Sequence, residues 1–350
     1  MRGKKNPFPL SLWPAKNIMK TLMNKKIPNF IFTNQFGLLC LVLVFIAIFS
    51  TVTDGFTSRF NIFALSRVIA IDIMIGLAMM VVILTGGLNL ALGAIGVSAA
   101  MFGGWCMEIM GIPVIPSIIL TLSMGAFLGW LNGIITVKTG VHSFIVTLAT
   151  MSIYFGFMTM LTEAEAFRRL PELFTDFGSA KLFNKYVSPL LLVSVATCFI
   201  LFYLFRFTDI GRKLIAAGAN PEAAELSGIS VSRMFIHCHV LSGLLGALAA
   251  IMLTTRIGAA IPSMAGQLGM DWLLPAFLAP VIGGTLLSGG KLSVFGTMLG
   301  AVLVTLLTNG LYLLDVGEFW IRFFLGIILL FAVLLDKARE YFTLKSVIVS

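Results

Sequence analysis

Apolar residues fall in long runs separated by short polar punctuation, at 36–52, 61–84, 90–109, 113–137, 142–162, 187–206, 235–254, 268–287, 292–313 and 318–336. Each run is close to the ~20 residues that an α-helix needs to cross a bilayer. The pattern therefore predicts an all-α, polytopic integral membrane protein of about ten transmembrane helices. No small-residue cleavage site follows the first run, so it reads as a span and not as a removed signal peptide.

The punctuation sorts by charge. Residues 1–35 form a basic tail carrying Arg2, Lys4, Lys5, Lys16, Lys20, Lys25 and Lys26. A positive-inside bias places that tail in the cytoplasm. Alternation along the transmembrane domain, 36–336, then puts the loop at 207–234 inside, with Arg212, Lys213 and Arg233. The C-terminal tail, 337–350, falls on the same side with Lys337, Arg339 and Lys345. The longest external loop is 163–186, where Glu163, Glu165, Glu172 and Asp176 offset Arg168, Arg169, Lys181 and Lys185.

Composition agrees with a membrane solvent. Of 350 residues, 59% are hydrophobic and 11% charged, whereas soluble domains carry about 25% charged residues. The net charge of +9 lies largely in loops and tails, which fits the positive-inside bias and gives no nucleic-acid surface. Cys40, Cys106, Cys198 and Cys238 each sit inside an apolar run without a CxxC pair, as free thiols packed like small hydrophobes. His237 and His239 lie two apart on a predicted helix and point in nearly opposite directions, so they cannot share a metal.

Glycine organises what remains. Gly125, Gly129 and Gly133 repeat every four residues, as do Gly296 and Gly300; such rows let helix backbones approach closely or line a polar route. Two stretches echo each other without gaps: Thr85-Gly-Gly-Leu-Asn-Leu-Ala-Leu-Gly93 and Ile282-Gly-Gly-Thr-Leu-Leu-Ser-Gly-Gly290. Glycine-interrupted spans in corresponding places of two halves point to a transport site. The candidate route residues are Asp72, Gly86, Gly87, Asn89, Gly283, Gly284 and Ser288. Asp72, deep in a span, is a substrate hydroxyl acceptor, a proton site or a structural hydrogen-bond partner. Asn89 either meets a passing polar solute or caps the helix starting at Leu90. Asp271, Asp315, Glu318 and Arg322 lie near outer span ends, and Trp105, Trp272 and Trp320 read as interfacial anchors.

The polar island at 211–228 carries a different signal. Asn220 suits an N-cap, Pro221 the first helical position and Glu222 the first turn. Ala223, Ala224, Glu225 and Leu226 propagate the turn, and Gly228 can end it in a left-handed conformation. A helix of about two turns is too short to stand alone in water, so it rests against something. No nucleotide-binding loop exists in the chain. Gly284 to Lys291 fails on spacing and lacks the hydroxyl residue after the lysine. No Ser/His/Asp or paired-carboxylate arrangement supports an intramembrane enzyme.

Three segments together resemble the membrane permeases of ATP-binding-cassette importers, of the ribose/galactose/xylose class that includes autoinducer-2 permeases. They are 85–93, Gly211-Arg-Lys with Gly218-Ala-Asn-Pro-Glu-Ala-Ala-Glu-Leu-Ser-Gly-Ile229, and Val281-Ile-Gly-Gly-Thr-Leu-Leu-Ser-Gly-Gly290 running on to Gly296 and Gly300. The similarity spans about 60–335. It implies that Gly211, Asn220, Pro221, Glu222, Ala223, Ala224 and Gly228 belong to a coupling loop that docks on a separate ATPase subunit. That subunit would bind ATP and Mg²⁺, leaving this chain without cofactors or catalytic residues. The resemblance further implies a second permease copy or paralogue, an extracytoplasmic solute-binding protein and a multi-pass location in the bacterial inner membrane. The cargo it implies is a sugar or sugar-like solute. Two departures from the family, Asn89-Leu90-Ala91 for its usual Asp-Leu-Ser and Asp271-Trp-Leu-Leu-Pro275 before the third motif, leave the cargo open. The rival readings are a branched-chain amino-acid permease of the same importer type, an ion-coupled secondary transporter resting on Asp72, and a membrane scaffold that moves no solute.

Overall fold

The computed structural model describes residues 34–184 and 186–349, with side chains from 335 onward outside that description. Residues 1–33 of the basic tail, Lys185, and the side chains of Lys337, Arg339 and Lys345 therefore lie outside the described residues. In order, the helices are α1 (Asn34–Val52), α2 (Arg59–Ile83), α3 (Leu92–Glu108), α4 (Val114–Thr139), α5 (Ser143–Leu161), α6 (Glu172–Ser179) and α7 (Pro189–Phe207). They continue with α8 (Asp209–Ala219), α9 (Pro221–Leu226), α10 (Val231–Ile257), α11 (Leu273–Ile282), α12 (Val294–Leu313) and α13 (Glu318–Val349). Among the described residues there is no named strand.

Each of the ten apolar runs carries a helix, but only seven helices among the described residues are long and apolar enough to cross a membrane: α1, α2, α4, α5, α7, α10 and α12. For two of the three missing spans, α3 and α11, the cause is local, and α13 is described with side chains only to 334. Helix α3 has 17 residues, because the chain unwinds over the first glycine-rich stretch and re-enters helix only at Leu92. The run at 268–287 is not one span. Leu268 (φ 58°) and Gly269 (φ 77°) break it at one end, and α11 stops at Ile282, leaving 10 residues of helix.

Helix α2 is the axis of the molecule. From Ala70 to Leu84 its apolar side chains are almost all buried, as a sequence apolar on every face requires. Around it pack α3, α7, α10, α11 and α12. Peripheral helices turn Ile115, Ile119, Phe127, Ile153, Phe157 and Ile200 outward, the arrangement expected where the solvent is lipid tail. With no hydrophobic drive between helices in lipid, close packing must hold them. The α4–α10 seam shows how. A side chain at Gly129 would collide with the His239 carbonyl, and one at Gly243 with the Gly125 carbonyl. The Gly296–Gly300 row meets Gly283 and Ala279 in the same way.

Two of the predicted anchors behave as expected, since Trp105 and Trp320 are exposed. Trp272 does not. It is buried, and its indole fills the space left by Gly96. Arg322 pairs with Glu318 at 2.7 Å and Asp271 at 3.4 Å, all three exposed. His237 is exposed and His239 buried, and no cluster of three metal-ligating side chains occurs among the described residues.

Candidate functional site

The polar island folds as two helices where the sequence indicated one. Thr208 caps α8 by accepting from the Gly211 N–H at 3.1 Å. Gly211 lets α8 fold against the backbone of Leu204 and Phe205, where any side chain would collide. Leu214, Ala217 and Gly218 form its buried face, while Arg212 and Lys213 stay exposed. Asn220 then ends α8 and caps α9, its side chain accepting from the Ala223 N–H at 3.0 Å. Pro221 and Glu222 occupy the first turn, and Gly228 closes the helix with φ 80°. Only Ala224 of α9 faces inward. Glu222, Ala223 and Glu225 are exposed, and Leu226 is 91% exposed at the tip.

The C-terminal end of α8 reaches both glycine-rich stretches at once. The Gly290 N–H donates to the Leu84 carbonyl at 2.9 Å, joining the end of α2 to the turn after α11. Gly218 presses into that joint: a side chain there would strike the Leu84 carbonyl and come within 3.0 Å of the Gly290 nitrogen. Gly289 and Gly290 (φ 89° and 75°) lie equally close to Gly218, Ala219 and Gly86. Segments more than 60 residues apart in sequence thus meet backbone to backbone, which only glycine permits.

Neither stretch continues a helix, so its backbone groups need other partners. In the first, the Leu88 N–H donates to Ser143 Oγ at 2.9 Å and the Leu90 N–H to Thr147 Oγ1 at 3.1 Å, both from α5. In the second, the Leu286 N–H donates to the Lys291 carbonyl at 3.2 Å and the Ser293 N–H to Thr285 Oγ1 at 3.3 Å. Between the two stretches opens a cleft of about 430 Å³, lined by Gly86, Leu88, His142, Phe277, Val281, Leu287, Leu329 and Val333. Its walls are mostly apolar.

A family profile described as "Branched-chain amino acid transport system / permease component" matches residues 61–333. The chain belongs to this family. The permease is 36% identical to the ribose import permease protein of Bacillus subtilis (strain 168) over 301 residues, covering 85% of this chain and 91% of that one. It is 32% identical to the ribose import permease protein of Escherichia coli (strain K12) over 305 residues, covering 85% and 92%. The fructose import permease protein of Rhizobium meliloti is 32% identical over 326 residues, covering 91% and 89%. No solved structure shows significant similarity to the chain.

In this permease the predicted route residues divide. Gly86 lines the cleft, Gly283 packs on the Gly296–Thr297 backbone, and Gly284 turns the chain with φ 86°. Ser288 is exposed, with its carbonyl facing Gly86. Gly87 lies against Val82 and Phe235. Asn89 is fully buried and caps nothing: α3 starts at Leu92 behind Ala91, and Asn89 Nδ2 instead donates to Ser242 Oγ of α10 at 3.0 Å. Asp72 lies twelve residues before Leu84, roughly 18 Å along α2, away from the junction. Its Oδ2 accepts from Thr305 Oγ1 at 2.7 Å, so in this conformation it bonds a neighbouring helix. Sequence reasoning missed α8 and the parts played by Gly218, Gly289 and Gly290. Their signal was a run of glycines in the second stretch longer than a turn needs.

Proposed function

We propose that the chain is the membrane-spanning subunit of an ATP-driven importer for a sugar or sugar-like solute. The observation that carries this reading is the junction of α8 with both glycine-rich stretches. A load applied to exposed α9 passes through α8 to Gly218, and there reaches Leu84 and Gly290 together. Those two points flank the cleft, so a small rotation of α8 widens or narrows it by rigid-body tilt of the adjoining helices. The load comes from a separate ATPase subunit, which grips the acidic, Leu226-tipped face of α9 and supplies ATP and Mg²⁺. The family's description names branched-chain amino acids, while these relatives are sugar permeases; their coverage of at least 85% of the chain supports the sugar.

On this reading ten segments cross the bacterial inner membrane, with both termini and 207–234 in the cytoplasm. A second copy or paralogue completes the route, and an extracytoplasmic binding protein delivers solute. Proteoliposomes holding the permease, its ATPase and its binding protein test the proposal. Sugar accumulation is expected only with ATP inside. Accumulation driven by an ion gradient without the ATPase would overturn it.

A further inference from the structure

Three buried side chains at the α4–α10 seam carry polar atoms with no hydrogen-bond partner among the described residues. They are Asn132 Nδ2, Thr136 Oγ1 and His239 Nε2, and Asn89 Oδ1 joins them from the first glycine-rich stretch. Asn132, His239 and Asn89 are 0% exposed and Thr136 8%. Such an atom gives up its hydration on burial and gains nothing in return, so four together ask for a reason.

They share one neighbourhood. Asn132 and Thr136 lie one turn apart on α4. Gly133, next to Asn132, would place a side chain 3.3 Å from His239 Cβ. The His239 ring stacks on Phe235 with centroids 4.5 Å apart, and Phe235 in turn touches Gly87 of the first stretch. Asn89 is tied to Ser242, three residues beyond His239 on α10.

The free atoms are also complementary. His239 Nδ1 lies 3.1 Å from the Phe235 carbonyl. A carbonyl only accepts, so Nδ1 carries the proton and Nε2 of the neutral ring is an acceptor. Tyr154 Oη also lies 3.2 Å from the Leu128 carbonyl, but its shorter bond, at 2.7 Å, donates to Asn132 Oδ1, and in this arrangement Asn132 Nδ2 has no partner. Asn89 Nδ2 donates to Ser242, leaving Oδ1 as acceptor. Unmet polar atoms on α4 thus lie across one seam from unmet acceptors on α10 and the glycine-rich stretch. A group that both donates and accepts completes the set, and a charged group does not.

We propose that this seam is a binding site for a neutral hydroxyl guest, either water or one hydroxyl of the transported solute, held between Asn132 and His239. The guest accepts from Asn132 Nδ2 and donates to His239 Nε2. Only the solute alternative rests on the sugar reading above; the water alternative stands without it.

The chain contains three histidines, so ¹⁵N-histidine labelling of the full-length permease gives three rings to assign. Nε2 of His239 is expected to resonate as a hydrogen-bonded acceptor, with the proton on Nδ1. If this holds without sugar and magnetisation transfers from water, the guest is water. If the bonded signature appears only on adding D-ribose, the guest is a solute hydroxyl. In Asn132→Leu the signature should be lost while the Nδ1 bond to Phe235 persists. An unbonded Nε2 in the wild-type chain with and without D-ribose, a proton on Nε2, or a bonded Nε2 reached by neither water nor sugar would each overturn the proposal. The wild-type spectra decide it even if the variant fails to fold.

Discussion

The two glycine-rich stretches read alike and are fastened differently. The first, at 85–93, is held from outside: α5 lends Ser143 and Thr147 to its N–H groups, and α10 lends Ser242 to Asn89. The second, at 282–290, mostly holds itself, through Leu286 with Lys291 and Gly289 with Leu286. It also bends more, with Gly284, Gly289 and Gly290 all at positive φ, against Gly86 alone in the first. The link between them is the Gly290–Leu84 bond under Gly218. One stretch is anchored to the helical frame and the other to itself and to α8. On the proposed reading, motion of α8 would shift the second against the first, as a gate across the cleft requires.

The largest effect should come from severing that link. Gly218→Leu drives a side chain into the Leu84 carbonyl, where backbone cannot step aside, so it is expected to cost about 3 kcal/mol or more. Uptake should fall to background while the chain still inserts, read by proteoliposome transport beside membrane fractionation. Normal uptake would show that α8 does not drive the turns.

Next comes a matched pair. Gly290→Ala combines a positive φ with a collision against Ala219, whereas Gly86→Ala has φ 72° and only the Ser288 carbonyl 3.7 Å away. The first is expected to lose about 2–4 kcal/mol and the second about 1 kcal/mol, read as midpoints of thermal unfolding in detergent. Equal losses would dissolve the distinction between a crowded second stretch and a roomier first one.

Much of this was legible beforehand, and the residues show where legibility ends. Asn220, Pro221 and Gly228 announce α9 because capping is local: the Asn220 side chain and the Ala223 N–H are three residues apart. The Gly125–Gly133 row announces a helix seam because its four-residue spacing puts all three glycines on one face, although the partner helix α10 is distant in sequence. What failed depends on distant partners. Asn89 carries a capping side chain, but its bond runs to Ser242, 153 positions away. Asp72 makes the structural hydrogen bond that was among its readings, but its partner, Thr305, is 233 positions away and only the structure supplies it. Run lengths also overcount helix, since an apolar residue such as Leu268 keeps a run going while its φ of 58° ends the helix.

A subtler contrast lies in how the loose N–H groups are met. Thr147→Val strands the Leu90 N–H beside a fully buried threonine, for an expected loss of about 1–3 kcal/mol. Thr285→Val strands the Ser293 N–H, but Ser293 is only half-buried. Its loss should stay at about 1 kcal/mol, read by the same unfolding midpoints. If Thr285→Val proved the costlier change, the bonds the second stretch makes to itself would outweigh those that α5 lends the first.

The smallest expected effect is the most pointed about solute. Ser288 sits exposed on the second stretch, and only its backbone carbonyl faces Gly86. Ser288→Ala removes a hydroxyl and nothing that the fold uses, so stability should stay within about 0.5 kcal/mol of the parent. Transport separates two meanings of that neutrality. If the cleft passes sugar mainly between apolar walls such as Leu88, Phe277 and Leu287, half-maximal uptake should not move. If half-maximal uptake rises severalfold while stability holds, the Ser288 hydroxyl contacts the solute. The self-held stretch would then both move and recognise, and the anchored one would serve only as its frame.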